Sequence, residues 1–179
     1  AVIGMAEMAL REELPPVARE YINQIKEAGR SLLTIINDIL DFTKIESGRM
    51  DVNEVKYEPM SIVYDVANIV MTRLKEKDVE LILDVSPDLP SELYGDSIRI
   101  KQVLLNLLNN AAKFTARGRI TMKMNYVETA PDEIEMRISV EDTGIGIKKE
   151  DISKLFQSFQ QVDSKRNRNI EGTGLGLAI

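Results

Sequence analysis

The sequence predicts an α+β protein. A helical hairpin, forming a four-helix bundle as a dimer, precedes a two-layer α/β sandwich with a mixed sheet. Three observations carry this expectation. Residues 1–48 read as helix almost throughout, and from Asp51 the texture changes to alternating strand and helix. Residues 119–127 and 133–141 then alternate in polarity like a paired antiparallel hairpin. The expected domains are therefore 1–48 and 49–179.

The first helix spans Ala1 to Glu12 and is broken by Leu14-Pro15-Pro16. Proline suits the first turn of a new helix, where its missing N–H costs nothing. That second helix runs to about Glu46 and stops at Ser47-Gly48. Ile22, Ile25, Gly29, Leu32, Ile36 and Ile39 recur at steps of three and four, the spacing of a bundle seam. Leu33, Ile35, Leu40 and Phe42 widen this stripe beyond what one partner helix covers. The stripe packs either on the rest of its own chain or on a second copy, and its width favours the second copy.

In the second part, Glu54–Glu58 is a short strand closed by Pro59, and Ser61 to Lys77 has helical periodicity. Val79–Val85 is a strand, and residues 86–90 form a loop. A long helix covers Asp96 to Thr115, and Gly118 makes a turn into the strand pair. Ile152–Phe159 is a weak helix, and Gln160–Glu171, polar and aperiodic, reads as a mobile loop.

Composition excludes much. The chain has no cysteine and no histidine, so disulfides, thiolate metal sites and imidazole-based catalysis are ruled out. A net charge of −6 argues against a nucleic-acid surface. No apolar run approaches the ~20 residues of a membrane span, so no membrane contact is expected.

At 3.6 residues per turn, Arg99, Gln102, Asn106, Asn110 and Lys113 share one narrow stripe of the long helix. Ile100, Val103, Leu104, Leu107, Leu108 and Ala111 are assigned to its apolar face. Carboxamide oxygens are neutral ligands for Mg²⁺, and a lysine one turn on can neutralise a phosphate. The alternative is an ordinary solvated helix face. Two glycine-rich loops add to the first reading. Asp142-Thr-Gly-Ile-Gly follows a strand, and a buried carboxylate there would accept from the exocyclic amine of adenine. Gly144 and Gly146 would let the chain pass close to the base. Gly172-Thr-Gly-Leu-Gly-Leu177 opens an apolar helix start whose N–H groups would face phosphates. Each loop alone is equally a tight turn; their combination in this order points to a nucleotide.

These segments resemble the boxes of sensor histidine kinases. Asn106-Leu-Leu-Asn-Asn110-Ala-Ala-Lys113-Phe114-Thr115 is similar to the N box, and Asp142-Thr-Gly-Ile-Gly to the G1 box. Leu155-Phe-Gln-Ser-Phe159 is similar to the F box, and Gly172-Thr-Gly-Leu-Gly-Leu177 to the G2 box. Ala1-Val-Ile-Gly-Met and Ile39 to Gly48 resemble the dimerisation hairpin of hybrid kinases.

The resemblance implies an ATP-binding domain of the GHKL fold and the cofactors ATP and Mg²⁺. It implies that Asn110 is the principal Mg²⁺ ligand, with Asn106 beside the metal and phosphates. Lys113 would contact phosphate, Phe114 would lie beside the base, and Asp142 would read adenine. Gly144, Gly146 and Ile147 would shape the adenine pocket. Gly172, Thr173, Gly174, Leu175, Gly176 and Leu177 would flank the triphosphate. Gln160–Glu171 would be the ATP lid, with Arg168 placed to reach the γ-phosphate.

The family's acceptor histidine would fall roughly two helical turns before Ala1. The sequence is therefore expected to be a trimmed cytoplasmic piece of a longer, membrane-anchored kinase, unable to phosphorylate itself on histidine. The expected partners are a second copy through the hairpin and the receiver domain of a response regulator. A hinge is expected at Ser47–Val52. The alternatives are a GHKL ATPase, a protein-serine kinase and a non-catalytic ATP-binding dimer module. Hydrolysis is disfavoured, because Asn106 stands where an ATPase would carry its general-base carboxylate.

Overall fold

The computed structural model describes residues 1–153 and 176–177. The chain divides into two compact units, one containing Ala1–Met50 and the other Asp51–Gly172.

The first unit is an antiparallel helical hairpin. Helix α1 covers Val2–Ala9 and helix α2 covers Pro16–Glu46, with proline at the start of α2 as the sequence predicts. The turn between them is held by Arg19, whose guanidinium donates to the carbonyls of Leu10 and Glu12 at 3.2 and 3.3 Å. Arg30 reaches across to Glu7 at 3.1 Å and along its own helix to Glu27 at 3.2 Å. The predicted seam divides in two. Ile22 and Gly29 are half-buried, whereas Ile25, Leu32, Ile36 and Ile39 stay exposed. Helix α2 buries no residue at all. A short α1 covers one edge of the stripe and leaves the rest in water.

The second unit layers two helices on a sheet. Strand β1 (Val55–Tyr57) pairs antiparallel with β3 (Leu93–Gly95) as a separate two-stranded ribbon. Helix α3 covers Pro59–Leu74, so Pro59 starts a helix rather than merely closing a strand. Strand β2 (Asp78–Val85) pairs parallel with β4 (Arg117–Ala130), and β4 pairs antiparallel with β5 (Glu133–Asp142). The order β2-β4-β5 makes the sheet mixed, as expected. Helix α4, Ser97–Phe114, lies between β3 and β4 in sequence. Helix α5 covers Lys149–Ile152, and the remainder of the predicted 152–159 helix lies outside the described residues.

One core joins these layers. Val63, Val66, Val70 and Leu74 of α3 meet Leu104, Leu108, Ala111 and Ala112 of α4 over Ile120, Met122 and Met124 of β4. Burying side chains of this size contributes roughly 1.5–3 kcal/mol each. On β5, Ile134, Met136, Ile138 and Val140 are half-buried and their neighbours exposed, the period-two pattern of a strand with one covered face.

Three local expectations need correction. Gly118 is not a turn but lies inside β4 with φ +121°. A Cβ there would run into the Thr143 hydroxyl, so this strand position must be glycine. Strand β3 escaped the sequence reading because three residues offer too short a window for periodicity. Val103, assigned to the apolar face, is 50% exposed. It falls about 20° from Asn110 around the helix, on the polar side and away from Leu104 and Leu108.

Candidate functional site

Helix α4 presents the polar stripe, and its two ends are fastened differently. At the N-terminus Asp96 is the cap, its Oδ1 accepting from the Arg99 N–H at 3.0 Å. Its Oδ2 accepts from the Asn53 N–H, also at 3.0 Å. These backbone hydrogen bonds, Arg99 first and Asn53 second, hold the Asp96 carboxyl below its ordinary value. Within the first turn Arg99 donates to Gln102 Oε1 at 2.7 Å.

Asn106, Asn110 and Lys113 are all half-buried, opposite the fully buried Leu104 and Leu108. Partial burial pulls the Lys113 ammonium below its ordinary pKa, and its nitrogen sits 5.1 Å from the centre of the Phe114 ring. Asn109, beside Asn110, has a buried Oδ1 with no hydrogen-bond partner among the described residues.

The C-terminal end of α4 is where the first glycine-rich loop arrives. The inward parity of Ile134, Met136, Ile138 and Val140 continues to Asp142, whose register partner on β4 is the buried Ile120. This places Asp142 on the helix-covered face, just past the last apolar position. Its Oδ1 accepts from the Gly144 N–H at 2.9 Å and lies 3.5 Å from the hydroxyl of the fully buried Thr115. The Ile145 N–H donates to the Phe114 carbonyl at 3.3 Å. Thr143 closes the loop, its hydroxyl accepting from the Arg119 N–H at 2.9 Å.

Asp142 itself is exposed, which corrects the expectation of a buried carboxylate. The reason is positional: β5 ends there, beyond the cover of α4. Its Oδ2 has no hydrogen-bond partner among the described residues and is available to a donor.

Gly144 serves a purpose other than the one expected. A Cβ there would collide with the Phe114 carbonyl, so this glycine lets the loop seat on the end of α4. Gly146 has φ +66° with open space around it, and Ile145 and Ile147 are exposed. Gly176 and Leu177 form a half-buried turn grouped with the first unit rather than with the Asn-bearing helix. Arg168, Gly172, Thr173, Gly174 and Leu175 lie outside the described residues, as do Leu155–Phe159 and the predicted lid.

The donor set suits a metal that arrives with its ligand. Among the described residues no group of three or more Asp or Glu side chains is placed to hold an ion. Two carboxamides one turn apart instead offer neutral oxygens to an ion completing its shell with phosphate and water. Two surface concavities, of about 350 and 390 Å³, open beside Glu58 and Ser61 and contain none of these residues. The nucleotide reading rests on the joined helix and loop.

Thr115, Thr143 and Asp96 were missed as parts of this arrangement. Thr115 closes the Asn-containing motif, but a threonine after an aromatic residue carries no signal of what it will touch.

A two-layer sandwich with a carboxylate loop seated on an Asn-bearing helix defines a class of ATPase-like domain. Residues 95–179 match the family described as "Histidine kinase-, DNA gyrase B-, and HSP90-like ATPase". Residues 1–48 match the "His Kinase A (phospho-acceptor) domain". The chain belongs to the histidine kinases.

It is 39% identical over 99% of its length to the sensor histidine kinase GacS of Pseudomonas protegens, covering 19% of that protein. It is 36% identical to the signal transduction histidine-protein kinase BarA of Escherichia coli, with the same coverage. It is 39% identical to hybrid signal transduction histidine kinase B of Dictyostelium discoideum, covering 99% of this chain and 9% of that one. Among solved structures, full-length ShkA in complex with AMPPNP is similar with a TM-score of 0.78 and 30% identity. That match covers 99% of this chain and 35% of ShkA. The chain thus spans about a fifth or less of the curated relatives named here. Among the described residues no helix is long and apolar enough to cross a membrane.

Proposed function

We propose that this chain is the dimerisation and ATP-binding part of a hybrid sensor histidine kinase. The observation that carries the reading is the seating of the Asp142 loop on the last turn of α4. It brings an available carboxylate oxygen next to the helix end that bears Asn110, Lys113 and Phe114.

In this reading Asp142 accepts from the adenine amine, and its acceptor-only chemistry disfavours the carbonyl edge of guanine. Asn110 and Asn106 hold Mg²⁺ against the phosphates, and Lys113 adds a cation beside them. Mg²⁺ supplies charge neutralisation on the moving phosphoryl group. Gly144, Gly146 and Ile147 border the base. Arg168 and the segment Gly172, Thr173, Gly174, Leu175, Gly176 and Leu177 are assigned to the phosphate side on sequence alone. AMPPNP, the compound in the ShkA complex, is an ATP analogue and supports ATP as ligand.

The γ-phosphoryl group passes to an imidazole and then to an aspartate of a receiver domain. No histidine occurs among these 179 residues, so they do not supply that imidazole. Dimerisation through the hairpin is supported by the exposed Ile25, Leu32, Ile36 and Ile39 on a helix that buries nothing by itself. The hairpin and catalytic parts divide near residues 48–49, with a hinge at Ser47–Val52.

Calorimetry of the 179-residue chain with ATP and Mg²⁺ tests the reading. Saturable binding that weakens when Mg²⁺ is chelated is expected. No uptake of ATP overturns it.

A further inference from the structure

Lys77, a cation of the second unit, has no part in the reading above. Lys77 lies between α3 and β2, and its own N–H donates to the Leu74 carbonyl at 2.8 Å. Leu74 is buried in the core, so the lysine projects from a fixed base. Its ammonium reaches the far end of α4, donating to the Ala112 carbonyl at 2.5 Å and to the Thr115 carbonyl at 3.2 Å.

The last carbonyls of a helix have no partner within it and carry the negative end of its dipole. At the end of α4 the Thr115 N–H takes the Ala111 carbonyl and the Ile145 N–H takes that of Phe114. Lys77 takes the Ala112 carbonyl and continues to Thr115, one residue past the helix. Thr115 is thereby engaged at its N–H, its carbonyl and its hydroxyl, and the hydroxyl is what faces Asp142. Lys113, the other cation of this turn, lies over the Phe114 ring.

We infer that Lys77 is a positioning residue for nucleotide selection: it clamps the α4–β4 junction through the Ala112 and Thr115 carbonyls and so sets where Thr115 presents Asp142. It touches no ligand. The inference rests on the proposed adenine-reading role of Asp142 and deepens it. Its two hydrogen bonds are part-buried, so loss of the ammonium is read as nucleotide selectivity beside stability.

The test uses the 179-residue chain with Lys77→Met and Lys77→Arg, titrated with Mg²⁺–ATP and Mg²⁺–GTP, beside thermal melts. Lys77→Met is expected to weaken ATP binding about five- to tenfold, the scale of one charge-assisted hydrogen bond. It should also narrow the preference for ATP over GTP, and Lys77→Arg should restore most of both. In a cycle with Thr115→Val, the two losses in ATP affinity should not add, because both act through one hydroxyl. ATP affinity within twofold of the parent, or equal losses for ATP and GTP with a lowered melting temperature, overturns the inference. A parent chain that binds neither nucleotide overturns the proposed function and this inference with it. A parent that binds ATP while Lys77→Met leaves selectivity intact overturns the inference alone.

Discussion

The backbone of Gly144 lies against the carbonyl oxygen of Phe114 so closely that any side chain on Gly144 would fall inside the 3.0 Å that real Cβ atoms keep. Helix α4 and the Asp142 loop therefore form one rigid corner. Its tolerance for change is small, because the obstructing atom is backbone and cannot rotate away.

Gly144→Ala is accordingly expected to destabilise the chain by about 1–3 kcal/mol, the usual range for overpacking. ATP affinity should fall by more than the stability loss explains, since the loop must lift off α4. Melting and calorimetry on the same sample check this. Unchanged ATP binding would separate the corner from the nucleotide.

Asp142→Asn exchanges an acceptor for a group that is half donor. Asp142 is exposed, so the melting temperature should barely move. ATP binding should weaken by about tenfold or more, with the preference over GTP reduced. Competition between the two nucleotides measures it, and intact discrimination would remove Asp142 from base reading.

Asn110→Ala removes one carboxamide oxygen from a half-buried position. Residual ATP binding should become much less sensitive to Mg²⁺, because the ion loses its principal protein ligand while Asn106 and the base contacts stay. Titrations with and without chelator decide the matter. A Mg²⁺ dependence equal to the parent's would move the metal elsewhere.

Asp96 gives a pH prediction. Its carboxyl is held below the ordinary value by the Arg99 and Asn53 N–H groups. The stability it adds is complete above the ordinary aspartate pKa of ~3.9 and is lost as pH falls through the lowered folded value. Asp96→Asn keeps a helix cap but loses the charge and the bond to Asn53. The gap in melting temperature between the parent and Asp96→Asn should therefore be constant near neutrality and close under acid. A gap that widens below pH ~4 contradicts the sign.

Ile36→Lys places a charge in the middle of the exposed stripe of α2, where Ile36 is 46% exposed. The chain should elute at half the mass of the parent dimer in light scattering, with the fold of the second unit unchanged. A parent that is already monomeric would assign the stripe to another partner.

Much of this was legible in the residues. Breaking and stop signals at Pro16 and Gly48 placed the ends of α2 to within a few residues, because backbone sterics act locally. The period-two pattern of 133–141 placed a strand there and Asp142 at its end, because alternation is a property of the strand itself. Val103 was misassigned because an apolar residue beside Asn110 looks like core when only its chemistry is read. The burial of Asp142 was misjudged for the same kind of reason. Exposure depends on where the covering helix ends.

Residue types and spacing alone determined that carboxamides, a lysine, an acidic loop and glycines occur together, and which faces of their elements they occupy. The three-dimensional arrangement decided what touches what. Asp142 meets Thr115 across 27 positions of chain, and Lys77 reaches Thr115 across 38. Such contacts depend on the register of β2, β4 and β5 beneath α4. That register follows from packing the whole core and is written in no local period.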